Sequence, residues 1–391
     1  FFIYIVYFYM QKGYNKAENV KKITKLYIQE CWFMKISEAK QCIKELYLNT
    51  ESVSALISER GVGKTSAYQQ CAAELGIGYM GLYAAALEGP DFMGLPDKDR
   101  EAGITRYLAP QFLPTVQAVK EGLFEPKGIL VLEEINRVPS DTTSVLYPLL
   151  LERKVNGHSL APGWKIGVTM NPNTMNYSVN SLDDAMLDRF VSMEVTADLE
   201  DYIEYSIMNN PNDDVLSFLQ ACPDMLLIVK KAADSTALSK SPTPRGWTKT
   251  QELMNNCNLS DKLMKQLIAG IIGPEAGASF FGFLKDRSFK IPSAERILKN
   301  FDEVKPDVME VLGQNRLDVL SLIMKKLVLT FRNEEGHINN LNAFVNCLPE
   351  ELGVLFFKLL AAKRPEEFMS LIQYFDAYNR ISGKIFEMLK S

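Results

Sequence analysis

The chain has 391 residues, 47% of them hydrophobic and 23% charged, enough for two or three domains with a substantial core. Its net charge of −5 argues against an extended nucleic-acid footprint. Six scattered cysteines without a C-x-x-C pair, and only two histidines, exclude a disulfide framework, a zinc site and a His-based catalytic cluster. The cysteines read as thiols of a reducing compartment, hence a cytoplasmic location, and His158 and His337 read as ordinary loop residues.

Phe1 to Met10 is apolar but too short to span a bilayer, and it lacks the basic flank and cleavage site of a signal peptide. Met34 precedes a well-patterned segment, so residues 1–33 are read as an upstream extension or disordered leader. From Lys35 to Leu48, apolar residues recur at helical spacing (Ile36, Ala39, Ile43, Leu46). An apolar run, Val53 to Ile57, then leads into Ser58-Glu59-Arg60-Gly61-Val62-Gly63-Lys64-Thr65, and a helical segment leads out from Ser66 to Leu75. Strand, small-residue loop and helix in that order suit a phosphate site. Backbone N–H groups curl around the phosphates and the helix N-terminus faces them. In such a loop Lys64 reaches the β- and γ-phosphates and the Thr65 hydroxyl holds Mg²⁺. The usual pattern begins with glycine, where this chain has Ser58.

Gly78 to Tyr83 reads as a second strand. Residues 86–113, rich in Gly and Pro, read as a loop or hairpin insertion with Arg106-Tyr107-Leu108 as one short strand. Pro114 to Leu123 can form a helix. Gly128 to Glu134 is a second strong signal, an apolar run buried on both faces as in parallel sheets, ending in two carboxylates at the edge where ligands bind. There Glu133 suits the Mg²⁺ shell and Glu134 suits polarising a water. Ser140 can cap a helix running to about Arg153, Asn156-Gly157 is a turn, and Trp164 to Met170 is another buried strand ending at Asn171-Pro172. A short helix over Leu182 to Leu187 closes at Asp188-Arg189-Phe190, before a strand from Val191 to Val195. From Asp198 onward the pattern is helical. Thr243 caps a helix with Pro244 at its first position. Residues 260–391 form a succession of helices with breaks near Gly273-Pro274, Ile291-Pro292, Lys305-Pro306, Glu335-Gly336 and Arg364-Pro365. The aromatic groups at Phe280 to Phe283 and at Tyr374, Phe375 and Tyr378 read as core.

Taken together, these segments resemble the AAA+ ATPases of the MoxR-like and dynein-related branch, over about residues 36–255. Ser58–Thr65 matches Walker A, and Ile129–Glu134 matches Walker B, continuing into Ile135-Asn136-Arg137. Asn171 matches sensor 1, Asp188-Arg189-Phe190 the arginine-finger segment and Pro244-Arg245 the sensor 2 helix. The insertion at 86–113 lies where this branch carries its helix-2 insert. The resemblance implies a three-layer αβα P-loop core with a parallel sheet over 34–197. An α-helical lid over 198–285 and a helical region over 286–391 follow. It implies ATP and Mg²⁺, with residues 58–66 (Ser66 included) around the nucleotide, and Thr65 and Glu133 on the metal. Glu134 is the base, Asn171 positions the water, Arg245 senses the γ-phosphate and Arg189 reaches a neighbour's site. A hexameric ring working as a chaperone-like remodelling motor follows, acting on a client protein such as one with a von Willebrand A domain. No membrane role is expected.

Where the branch usually has Asp, this chain has Glu133, and one extra methylene displaces a carboxylate by on the order of 1 Å, enough to cost about 10²-fold. Nucleotide binding is expected to survive this change and Ser58, and hydrolysis to slow. Two alternatives therefore stand beside the motor: a slowly hydrolysing switch or scaffold, and a nucleic-acid-directed NTPase. Residues 290–391, outside the motor motifs, are expected to dock the client.

Overall fold

The computed structural model describes residues 33–173, 180, 182–229, 240–286, 291–380 and 382. Apart from Phe33, the leader reading at 1–33 lies outside them. The described residues group into two compact units, the first running to Asp198 and the second holding Leu199–Ile228 and the residues from 240 onward.

In chain order the first unit contains β1 (Phe33–Met34), α1 (Ile36–Asn49), β2 (Val53–Ile57), α2 (Lys64–Leu75), β3 (Gly78–Tyr83), α3 (Gly89–Met93), β4 (Leu95–Asp99) and β5 (Ile104–Leu108). It continues through α4 (Val116–Lys120), β6 (Gly128–Glu133), α5 (Ser140–Glu152), β7 (Lys154–Val155), β8 (His158–Ser159), β9 (Trp164–Met170), α6 (Asp184–Leu187) and β10 (Phe190–Val195). Six strands form one sheet in the order β1-β10-β2-β9-β6-β3, and all its neighbours are parallel. The apolar runs of β2, β6 and β9 explain their central places, because a parallel strand is covered on both faces.

One face packs Val53, Ala55, Leu130, Leu132 and Val168 against Leu146, Leu149 and Leu150 of α5. On α2, Tyr68 is fully buried, its hydroxyl donating to Ser54 O at 2.8 Å. The ring fits because β9 carries Gly167, where an added Cβ would lie 2.6 Å from it. Burial lifts the Tyr68 phenol well above its ordinary pKa, so it stays neutral. Trp164 is fitted similarly, with a Cβ at Gly128 falling 2.6 Å from its ring. The insertion is an antiparallel hairpin of β4 and β5, and Asn156 and Gly157, both at positive φ, turn β7 into β8.

The second unit is helical: α7 (Leu199–Asn209), α8 (Asp213–Ala221), α9 (Pro244–Asn256), α10 (Asp261–Ile272), α11 (Pro274–Asp286) and α12 (Ala294–Lys299). It ends with α13 (Phe301–Gly313), α14 (Leu317–Thr330), α15 (Glu335–Asn346), α16 (Glu350–Lys363) and α17 (Pro365–Leu371). Phe218 and Phe280 meet Trp247 at 5.4 and 5.8 Å between ring centroids, in a tilted and an edge-on arrangement. A larger apolar core joins α12 to α17, with Phe301, Phe344, Phe356, Phe357 and Phe375 fully buried. Tyr374, by contrast, is exposed.

At the middle of that core α14 is wrapped on all sides, and its Lys325 and Lys326 are buried among leucines. Lys325 pairs with Glu200 of α7 and Lys326 with Asp213 at the start of α8, which ties the two helices after Asp198 to the C-terminal bundle. Lys363 of α16 adds a pair to Glu204 at 2.5 Å.

Three local expectations change. Lys305-Pro306 is no break, since α13 runs through Pro306. Proline there removes one backbone donor early in the helix, and burial of Phe301, Val304, Val308 and Val311 offsets that loss. The residue before α5, in the N-cap position, is Pro139, which places Ser140 inside the helix. His158 lies in β8 and His337 in the first turn of α15, so neither is a loop residue.

Candidate functional site: a phosphate loop at the sheet edge

Parallel pairing brings the carboxyl ends of β2, β6 and β9 to one edge, the edge at which α/β sheets bind ligands. Beyond β2 the loop turns through Gly61 (φ 73°) and Gly63 (φ 118°) into α2. Both are left-handed, a conformation glycine adopts without a Cβ penalty. Ser58 is not among the residues at positive φ, so serine in place of the first glycine costs no backbone strain here. It is buried, and it takes part in the loop: Lys64 Nζ donates to Ser58 O at 2.7 Å and to Ser58 Oγ at 3.2 Å.

Lys64 Nζ also donates to Asn171 Oδ1 at 3.2 Å, linking the loop to the end of β9. Asn171 is itself buried and held through its backbone. Asn136 Nδ2 donates to Asn171 O at 2.7 Å, and Asn171 N–H returns to Asn136 Oδ1 at 3.4 Å. At the head of α2, the Thr65 hydroxyl donates to Glu133 Oε2 at 2.7 Å. The longer carboxylate in place of aspartate therefore still meets its threonine. Below it, Tyr79 is pushed up to about 12 by burial and by the neighbouring Glu133 charge, so its phenol stays neutral.

Glu134 follows β6 in a left-handed backbone (φ 55°), which for a non-glycine residue costs on the order of 1–3 kcal/mol. Three contacts hold it there. Its N–H donates to Thr169 Oγ1 at 3.1 Å, the Tyr83 hydroxyl donates to its Oε2 at 3.0 Å, and Arg137 Nη1 lies 2.9 Å from the same oxygen. Strain of this kind concentrates at working sites, where surrounding contacts fix a side chain's direction.

The structure thus brings Ser58, Lys64, Thr65, Glu133, Glu134 and Asn171 to one edge. Arg189 is elsewhere. It immediately precedes β10, where Phe190 pairs with Val53 and Glu194 with Ile57. That register sets it at the opposite edge of the sheet, level with Ser52 and about six residues or roughly 20 Å of strand from the start of the loop at Ser58. Its guanidinium donates to Ala185 O, and its Nε is buried without a hydrogen bond among the described residues. Arg245 belongs to the second unit, in the first turn of α9, where Thr243 Oγ1 accepts from Gly246 N–H at 3.1 Å. The expected Thr243 cap and Pro244 start are both present.

Tyr83, Asn136, Arg137 and Thr169 were not singled out as site residues from the sequence. Tyr83 closes β3 as the carboxylates close β6, and a polar residue at the carboxyl end of a core strand is the signal that marks it. The other three act through contacts across 35 residues or within a three-residue turn, which no local pattern announces.

Residues 55–190 match the family model described as AAA domain (dynein-related subfamily). Among solved structures the chain is similar to NtrX from Brucella abortus in complex with ATP. The two are 13% identical with a TM-score of 0.38, over 87% of this chain and 73% of that one. It is likewise similar to the Thermotoga maritima RuvB Holliday junction branch migration motor. Here identity is 15% and the TM-score 0.32, over 69% of this chain and 74% of that one. A comparison with curated proteins finds none that matches. No helix among the described residues is long and apolar enough to cross a membrane. The matched segment holds the phosphate loop, the paired carboxylates and the central strands of the parallel sheet, and the fold is that of a P-loop AAA+ domain.

Proposed function

We propose that the chain is an ATP-hydrolysing remodelling motor of the MoxR-like kind, working in the cytoplasm as a homo-oligomeric ring on a partner protein. The observation that carries this reading is the convergence of Lys64, Thr65, Glu133 and Asn171, joined by bonds of 2.7 to 3.2 Å at one sheet edge. Lys64 exchanges its loop carbonyl for phosphate oxygens when ATP enters, and the N–H groups at the start of α2 receive the same anion. The oxygens of Thr65 and Glu133 fit a hard cation. Bound there, Mg²⁺ would neutralise charge on the β- and γ-phosphates.

Glu134 polarises the attacking water, and Asn171, fixed by Asn136, orients it. Arg189 supports a shared site, because from the far edge of its own sheet it serves a neighbouring subunit rather than its own loop. The resemblance gives Arg245 the part of a γ-phosphate sensor. The C-terminal helices take the client, and a partner with a von Willebrand A domain is the kind the resemblance implies. Steady-state ATP hydrolysis per subunit across a protein concentration series tests the proposal. Specific activity should climb with concentration and vanish in Glu134→Gln. A flat, control-level rate with intact ATP binding would remove the motor.

One observation favours a second reading, a slowly turning switch. Tyr83 and Arg137 both engage Glu134 Oε2. A carboxylate oxygen so occupied does not reach the water until those partners let go, and release then sets the rate. Turnover that rises in Tyr83→Phe would support that reading.

A further inference from the structure

The helical unit carries an open cleft of about 680 Å³, built from the end of α7, the start of α8, α12, and α14 with the residues that follow it. Its volume lies inside the range of small-molecule pockets, about 300–1,000 Å³. Ile207, Pro211, Ala294 and Leu298 give it an apolar wall, and Lys326, Arg332 and His337 give it hydrogen-bond donors.

Lys326 is 8% exposed, beside the equally buried Lys325 in a largely apolar helix. Cations are rarely fully buried unless paired. Asp213 answers Lys326, and Glu295 is taken by Lys299 at 2.8 Å. Arg332 faces Glu334 at 3.8 Å on the exposed side. Among the lining residues the fixed charges are therefore three cations against two carboxylates, Asp213 and Glu295. His337 adds a donor, because its Nδ1 accepts from the Arg332 N–H at 3.0 Å, which leaves the proton on Nε2. Despite its partner, Lys326 is driven down to about 8 by burial, so a further negative charge would be welcome beside it.

We propose that this cavity is a ligand site distinct from the phosphate loop, taking a small organic anion with a carboxylate or phosphate head and an apolar body. The head meets Lys326, Arg332 and His337, and the body lies on Ile207, Pro211 and Leu298. Every lining residue belongs to the helical unit, so the site does not depend on the nucleotide reading.

The test is a fluorescence titration of the full chain with 1-anilinonaphthalene-8-sulfonate, an apolar ring system bearing one anionic head. It is run in a Lys64→Ala background so that the phosphate loop does not compete. One saturable site is expected, weakened at least about tenfold by Arg332→Glu and by the charge-balanced pair Lys326→Met with Asp213→Asn. Displacement by citrate marks a carboxylate head, and displacement by inorganic phosphate marks a phosphate head. Binding that neither competitor displaces, or that ignores the cavity variants, overturns the proposal. If the paired variant fails to fold, Arg332→Glu, at an exposed position, decides alone.

Discussion

The two units of this protein place their charged groups by different rules. In the first, polar residues gather where parallel strands end, and short bonds connect Lys64, Thr65, Glu133 and Asn171 across three strands. In the second, Lys325 and Lys326 sit inside a helix and meet carboxylates more than a hundred residues earlier. At the sheet edge the Lys64 ammonium is held by neutral oxygens, Ser58 O and Asn171 Oδ1 among them. In the helical core a charge must be paired by the protein itself, because an isolated buried ion is too costly to keep. The comparison predicts that substitutions at the sheet edge act mainly on chemistry and those at buried packing positions mainly on stability.

The largest effect should come from the sheet edge and the arginine opposite it. Arg189→Ala should lower turnover by about 10³-fold or more while leaving ATP affinity nearly unchanged, as expected of a finger acting from a neighbour. Equilibrium nucleotide binding and steady-state rates, measured on the same preparation, separate the two. Loss of binding would place Arg189 in a structural role.

Next in size is the helical core. Trp247 is fully buried with Phe218 and Phe280 around it, and its Nε1 donates to Met225 O at 2.7 Å. Trp247→Ala should destabilise the helical unit by about 3–5 kcal/mol in a denaturant titration. A loss below about 1 kcal/mol would mean that the aromatic cluster repacks freely.

Smaller again is the fit of Trp164 against the sheet. Gly128→Ala would put a methyl 2.6 Å from the indole and 2.8 Å from Gly78 O, so one of them must shift. The expected cost is about 1–3 kcal/mol, without change in the loop that binds phosphate. A drop in nucleotide affinity larger than the drop in stability would break the separation between sheet packing and site.

The smallest effect sharpens the account of Glu134. Tyr83→Phe removes one hydrogen bond, worth about 0.5–1.5 kcal/mol, from a carboxylate that Arg137 also holds. If release of Glu134 limits the rate, turnover should rise by up to about tenfold. An unchanged rate would show that the contact is already broken in the reacting state.

Much of the first unit was legible because each core strand carries its own local signal. The runs Gly78 to Tyr83 and Trp164 to Met170 coincide with β3 and β9, and the carboxylates at the end of β6 fell where the sheet edge needs them. Serine stands at position 58 where the usual pattern begins with glycine, and the left-handed turns fall on Gly61 and Gly63. Only the traced backbone distinguishes those positions. Thr169 and Asn136 escaped notice because each works through a contact 35 residues away. In the helical unit, most helices were readable from periodicity. The partners of Lys325 and Lys326 were not, since adjacent lysines in a sequence look like a solvated face. Pro306 misled for a similar reason: a local rule about proline gave way to apolar burial on both sides of it.

The most direct measurement mixes two variants, Glu134→Gln and Arg189→Ala, each inactive alone. In a randomly mixed ring about a quarter of the sites combine an intact Glu134 with a neighbour's intact Arg189, so ATP hydrolysis should return to a corresponding fraction of the wild-type rate. A mixture that co-assembles and binds ATP but stays as inactive as its components would contradict a shared, hydrolysing site.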